Sequence, residues 1–360
     1  MDGAKSIQAL SVVFMAGVAA GTMVPAGAPW AVYTLLLTLL SLPFFLHRRL
    51  RRLPEKSVLP LIFISFLLLG VLCGMTPAPL PGPGNALQRL ALRSAERLRA
   101  LIGRVPFPHP GTAPLLQALL TGDRSGLPQA IVKAFRDSGA SHLLALSGLH
   151  MGILYLLFDK LTVPLGSSPP ARRCRSVLMM AAAGWFTLMT GAGPSVTRAF
   201  LYIAIGETLR LSGRPRDPVR VLSLALLVQL TIHPQAIRSV GFQLSYLAMA
   251  GIVFLYPTLR AWYPEGRHRL NPLRSIWQTA ALSISCQVFT APLVWLRWGN
   301  FPPYFLLTNL LAVPLVTILM GIGVTTLLLY ALGCCPALLI TITDGLGRLC
   351  VWVLEVISGL

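Results

Sequence analysis

Hydrophobic residues run along this chain in long blocks separated by short polar or Pro/Gly-rich turns. An apolar stretch of about 18 residues or more with few charges marks a membrane-spanning helix. By that measure the first spans lie at Ile7–Val24, Trp30–Leu46 and Val58–Met75. Further spans follow at His142–Phe158, Val177–Thr190, Ser195–Leu211, Val219–Ile232, Gly241–Tyr256, Ile276–Trp295, Tyr304–Leu332 and Ala337–Ile357. The N-terminal run, with Lys5 before it and Ala26-Gly27-Ala28 behind, looks like a secretory leader; a second span following at once favours a retained anchor.

Two segments depart from this pattern. Residues 76–84 carry Pro77, Pro79, Pro81 and Pro83, which excludes a helix. Asn85 then reads as the cap of an amphipathic helix, Ala86 to Arg104. Leu87, Leu90, Leu98, Leu101 and Ile102 share one arc of it, and Arg89, Arg93, Arg97 and Arg104 another. That pattern predicts an interfacial helix, its Leu face at the bilayer boundary and its Arg face toward phosphates. Residues 111–141 are too polar and too punctuated to span, and read as two short helices broken at residues 121–128. The expected fold is an all-α polytopic integral membrane protein of about 10–11 transmembrane helices plus one interfacial amphipathic helix. Its expected segments are N-terminal spans (1–76), an external turn with the Arg-striped helix (77–105) and a polytopic domain (106–360).

Composition agrees. Of 360 residues 55% are hydrophobic and 11% charged, with mean hydropathy +0.71. Soluble domains carry about 25% charged residues. Disorder, collagen, coiled coil and a disulfide-stapled module are excluded. The net charge of +19 implies a polyanion nearby, either lipid headgroups or a phosphodiester. Basic residues concentrate in loops 47–56, 159–176, 210–220 and 257–274, all on one face of the expected topology, which the positive-inside rule makes cytoplasmic. The Arg-striped helix falls on the opposite face, where a basic element implies an outer-face anion. Cys73, Cys174, Cys286, Cys334, Cys335 and Cys350 form no C-x-x-C pair and read as small apolar residues, with no metal and no cofactor.

Polar groups inside apolar spans mark a path or a site. On one helix, His142, Ser147 and His150 would fall within an arc of about 140°, opposite a small-residue packing face of Ala145, Gly148 and Gly152. Ser147 and His150 also resemble a nucleophile and base, without a nearby acid to orient the histidine and without a nucleophile-elbow sequence. Arg198 lies one turn inside a helix opened by Gly191-Ala192-Gly193-Pro194, placed either to fork a phosphate or to snorkel to headgroups. Glu207 reads as the local partner of Arg210. Gly241 and Ser245 continue a packing stripe while Gln243 points elsewhere, toward a cavity. Pro314 is expected to break the last long span near Asn309 and to free carbonyls there. No P-loop, H-E-x-x-H or carboxylate dyad occurs, so an ATPase or metal-dependent reading has nothing to rest on.

Leu119-Leu120-Thr121-Gly122-Asp123-Arg124, Leu127-Pro128 and the run Phe135 to His150 together resemble the signature of the ComEC-type competence proteins. Thr197-Arg198-Ala199, His233-Pro234 with Gly241-Phe242-Gln243-Leu244-Ser245-Tyr246, and Asn309 through Leu315 agree in order and spacing. The resemblance implies an inner-membrane channel that passes single-stranded DNA to the cytoplasm in natural transformation, with no catalysis of its own. On that reading Arg89, Arg93, Arg97, Arg104 and Arg198, singled out by their pattern above, would contact phosphates, and His142, Ser147, His150, Gln243 and Asn309 would line the path. The implied partners are single-stranded DNA, membrane lipids and other competence proteins such as a DNA receptor and a cytoplasmic motor ATPase, with homo-oligomers left open. The family's OB-like domain would sit where residues 76–84 stand, and no metal-ligand motif of its metallo-β-lactamase-like domain occurs here, so a minimal form without nuclease activity is expected. Ser239 stands where the family has Asp. The competing readings are an intramembrane hydrolase at Ser147/His150, a small-solute transporter, for which no inverted repeat is seen, and a non-transporting structural subunit.

Overall fold

The computed structural model of the chain describes residues 3–24, 55–76, 85–166, 168–263, 272–299 and 303–359. Among them every regular element is helical. In chain order these are α1 (Gly3–Met23), α2 (Glu55–Met75), α3 (Ala86–Arg104), α4 (Thr112–Thr121), α5 (Gln129–Asp137), α6 (Ser141–Leu144), α7 (Gly148–Thr162) and α8 (Pro169–Met189). They continue with α9 (Pro194–Leu211), α10 (Pro218–Ile232), α11 (Val240–Ala250), α12 (Tyr256–Ala261), α13 (Pro272–Trp298), α14 (Phe305–Ala331) and α15 (Ala337–Ser358). Among the described residues, five stretches are long and apolar enough to cross a bilayer: Ser6–Met23, Val240–Ala261, Pro272–Trp298, Phe305–Ala331 and Ala337–Ser358. The protein is an all-α polytopic membrane protein. The expected span Trp30–Leu46 lies outside the described residues.

The chain forms two compact units, which draw together segments far apart in sequence. One comprises Met1–Pro83 with Leu201–Ser245. In it α1 and α2 run side by side in the same direction, because Gly17 meets Gly70 and Gly21 meets Gly74. A Cβ at Gly17 would stand 3.1 Å from Gly70 Cα, and it would collide with the Leu67 carbonyl oxygen. This paired Gly-x-x-x-Gly contact lets two backbones touch, the route by which apolar helices associate in lipid. Gln235 donates to the carbonyls of Gly74 (3.2 Å) and Thr76 (3.1 Å), satisfying the C-terminal end of α2. Glu207 is fully buried and pairs with Arg210 at 2.6 Å, as its spacing predicts, with Arg216 4.0 Å away.

The second unit comprises Gly84–Phe200 with Tyr246–Leu360. Its core is built around α4, whose Leu115, Leu116 and Leu119 are buried among Ile102, Phe135, Leu143, Val316, Leu319 and Met320. The two short helices expected at residues 111–141 are present: α4 is largely buried, while α5 buries Ile131, Ala134 and Phe135 and exposes Gln129, Lys133 and Arg136. Both ends of α4 are fastened by carboxylates. Asp344 of α15 accepts from the His109 amide (3.0 Å) and the Thr112 hydroxyl (2.6 Å) at its N-terminal end. Asp123 takes Arg99 of α3 at 2.7 Å beyond its C-terminal end.

Three expectations are corrected here. Asn85 precedes α3 but makes no side-chain cap. The seat of α3 is the stripe Ala91, Ala95 and Ile102, with Leu98 and Leu101 packed on the core and Leu87 and Leu90 exposed. Small alanines allow this close approach, so the helix is fixed to protein along much of its length rather than lying only at the bilayer boundary. Finally, Pro314 does not break α14, which runs through it for 27 residues. Loss of one backbone hydrogen bond is tolerated where the surrounding ladder and neighbouring helices hold the helix.

Candidate functional site

The segment Ser141 to Phe158 is not one helix. α6 ends at Leu144, Ala145 turns extended (φ −78°, ψ 126°), and α7 starts at Gly148 after Ser147 (φ −134°, ψ 176°). The single-helix face joining His142, Ser147 and His150 is therefore replaced by a break. Ala145 is exposed, and a Cβ at Gly152 or Gly241 would meet nothing within 4 Å, so these three make no close packing contact among the described residues. Gly148 has one side packed: a Cβ there would lie 3.6 Å from Arg198 Nη2 and 3.9 Å from Ala199 Cβ, ordinary contact distances. Ser245 is buried.

Ser147 and His150 do come together, as the cap of α7. The Ser147 amide donates to His150 Nδ1 at 3.3 Å, and the two side chains meet at 3.1 Å. Ser147 Oγ in turn accepts from the Leu149 amide at 3.3 Å. With Nδ1 accepting, the ring proton sits on Nε2, which is buried with no hydrogen-bond partner among the described residues. The position that an orienting acid would hold in a hydrolytic triad is thus unfilled there, and the serine is engaged in capping. His142 is exposed, its Nδ1 3.2 Å from the Gly139 carbonyl.

Arg198 is buried, which corrects the snorkelling alternative. Gly191 (φ 77°) and Ala192 (φ 51°) turn the chain left-handed before α9, and Thr197 donates to the Ala192 carbonyl at 3.0 Å. The guanidinium lies 5.9 Å from the centre of the Tyr246 ring, a cation–π arrangement. On α14, Thr308 donates to the Ser138 carbonyl at 2.6 Å, and the neighbouring Asn309 Oδ1 is buried without a partner among the described residues. A buried unsatisfied polar atom costs about 1–3 kcal/mol, so such atoms mark places that water or a ligand satisfies. Gln243 belongs to the other unit, where it donates to the Ile237 carbonyl at 2.8 Å. Beside it Ser239 Oγ accepts from the Phe242 amide at 3.1 Å, a capping role open to Asp as well.

The arginines of α3 are where the stripe pattern puts them. Arg89, Arg93, Arg97 and Arg104 are exposed, on the side of the helix opposite Ala91 and Ala95. Sequence reasoning assigned no role to Asp344, whose partners His109 and Thr112 are 235 and 232 residues away, or to the turn residues Asp123 and Arg124. Hydrogen bonds from the Ser125 side chain, then from Arg99, hold the Asp123 carboxyl down at about 2. A depressed carboxylate stabilises the fold above its unfolded value near 4 and loses that contribution only as pH falls toward 2. No group of His, Cys, Asp or Glu among the described residues is placed to hold a metal.

The described residues form a polytopic α-helical membrane core with a broken helix and buried cationic and polar groups. The chain belongs to the competence protein family, whose model matches residues 119–360. It is 30% identical over 215 residues to the uncharacterized protein YcaI of Escherichia coli, covering 58% of this chain and 28% of that one. It is 28% identical over 208 residues to ComE operon protein 3 of Bacillus subtilis, covering 58% and 25%. With the competence protein ComA of Neisseria gonorrhoeae it shares 27% over 287 residues, covering 68% and 40%. The chain thus spans well under half the length of these relatives. No solved structure matches it significantly.

Proposed function

We infer that the chain is an inner-membrane channel core that passes single-stranded DNA into the cytoplasm. The observation that carries this reading is the break at residues 145–147, which places the buried guanidinium of Arg198 against the start of α7. The free N-terminus of a broken helix is where membrane proteins hold anionic groups within apolar surroundings, and a cation beside it adds to the attraction. The orphaned His150 Nε2 and Asn309 Oδ1 supply further polar contacts in the same unit. The exposed arginines of α3 load the DNA strand, and lipids, a DNA receptor, a motor ATPase and further copies are its proposed partners.

Expression of the chain in a strain lacking its own DNA channel tests this reading: uptake of labelled DNA returns if it holds, and an uncomplemented strain contradicts it. Binding of single-stranded DNA should weaken with salt. Changing Arg89, Arg93 and Arg97 together to Gln should flatten the log–log slope by about 2. An unchanged slope would make α3 a lipid anchor.

A further inference from the structure

The turn at residues 121–128 takes no part in the reading above, yet it reaches the break between α6 and α7. Gly122 closes α4 in the left-handed conformation (φ 77°), and a Cβ there would stand 3.1 Å from Leu146 Cγ. The backbone of the turn therefore rests on the middle of the break. Two residues on, Arg124 donates from Nε to the Leu144 carbonyl at 3.2 Å. Leu144 ends α6. In an unbroken helix its carbonyl would accept from the amide four residues on, at Gly148. The extended backbone at Ala145 and Ser147 carries that amide away. A carbonyl orphaned in apolar surroundings needs another donor, and Arg124 supplies it.

Asp123 sets the shape of the turn. Its Oδ1 accepts from the Ser125 amide (3.0 Å) and hydroxyl (2.7 Å), and its Oδ2 accepts from Arg99 Nη1 at 2.7 Å. Arg99 lies on α3, and its carbonyl accepts from Gln117 of α4 at 3.1 Å. The helix bearing the exposed arginines is thereby tied, through one residue, both to the turn that holds the break and to α4.

The geometry points to Asp123 and Arg124 as positioning residues that keep the α6–α7 break open, with Arg99 tying them to the basic helix. The functional weight of this rests on the break being the DNA path. Neither residue needs to touch DNA. Without Arg124, the Leu144 carbonyl is satisfied most simply by continuing α6 into α7, which closes the break.

The test uses the full chain in vesicles, its six cysteines replaced by serine and Ala145→Cys added at the exposed residue of the break. A charged maleimide reads the accessibility of that thiol. Arg124→Leu should slow labelling at least about tenfold, since a charge-assisted hydrogen bond is lost, while Arg124→Lys keeps a donor and stays within about twofold. Arg99→Asp and Asp123→Arg should each slow labelling, and their combination should recover part of it over Asp123→Arg alone, because the ion pair re-forms in reverse while the Ser125 bonds stay lost. Unchanged labelling in folded Arg124→Leu overturns the assignment, as does an unreactive thiol in the parent. If Arg124→Leu does not fold, the charge-reversal pair decides, and failure of the double variant to regain labelling overturns it. Uptake of labelled DNA into the same vesicles separates the two readings. Slowed labelling in a protein whose parent carries no DNA refutes the transport reading alone. Unaffected labelling with normal uptake refutes the positioning role alone.

Discussion

Asp344→Ala should deplete the folded protein from the membrane. The carboxylate is 1% exposed and holds the His109 amide, the Thr112 hydroxyl and, at 3.3 Å, Arg348. Alanine leaves the donors that start α4 without an acceptor, each at a cost of about 1–3 kcal/mol. Two such donors together cost about 2–6 kcal/mol, a large part of the 5–15 kcal/mol that stabilises a typical protein. No rearrangement readily makes this good, because Gly347 packs on Thr112 closely enough that a Cβ would lie 3.4 Å from its methyl group. Asp344→Asn keeps an acceptor of the same shape and should retain most of the protein. Membrane abundance and the melting temperature of the extracted protein measure the difference. Equal abundance in parent and Asp344→Ala would show that the fastening does not hold α4.

Arg198→Gln should have the opposite signature, a folded protein that carries little DNA. Removing a charge from a buried site relieves its desolvation, so abundance should hold. A buried guanidinium facing a phosphate contributes about 1.5–3 kcal/mol, so uptake should fall between about tenfold and a hundredfold. Arg198→Lys should lie between, because an ammonium keeps the charge but cannot fork two phosphate oxygens. Immunoblot beside uptake separates the outcomes. Loss of abundance in step with loss of uptake would make Arg198 a structural residue paired with Tyr246.

The fold class was legible because hydropathy over whole spans needs no knowledge of neighbours. The two short helices α4 and α5 were legible for the same local reason: Gly122 ends the first and Pro128 starts the second. What escaped depends on partners distant in sequence. Ala145 and Leu146 are good helix formers, so nothing nearby announces that the backbone leaves the helix there, and the donor that stabilises the break is twenty residues upstream at Arg124. Gly17, Gly21, Gly70 and Gly74 carry the Gly-x-x-x-Gly spacing, but its meaning appears only once α1 and α2 are seen to face each other. The arginine stripe of α3 was read correctly as an exposed face, whereas its seat was assigned to the leucines because two alanines look unremarkable in a hydrophobic pattern.

The central claim is that DNA passes the break between α6 and α7. Its most direct test is blockage. Vesicles containing the cysteine-free chain with Ala145→Cys are given labelled single-stranded DNA before and after reaction with a bulky maleimide, beside a control with Leu296→Cys, a residue 80% exposed on α13. Nuclease added outside reports the protected fraction. The account predicts that modification at residue 145 abolishes protection while modification at residue 296 leaves it unchanged. Equal protection with residue 145 blocked and unblocked would contradict it.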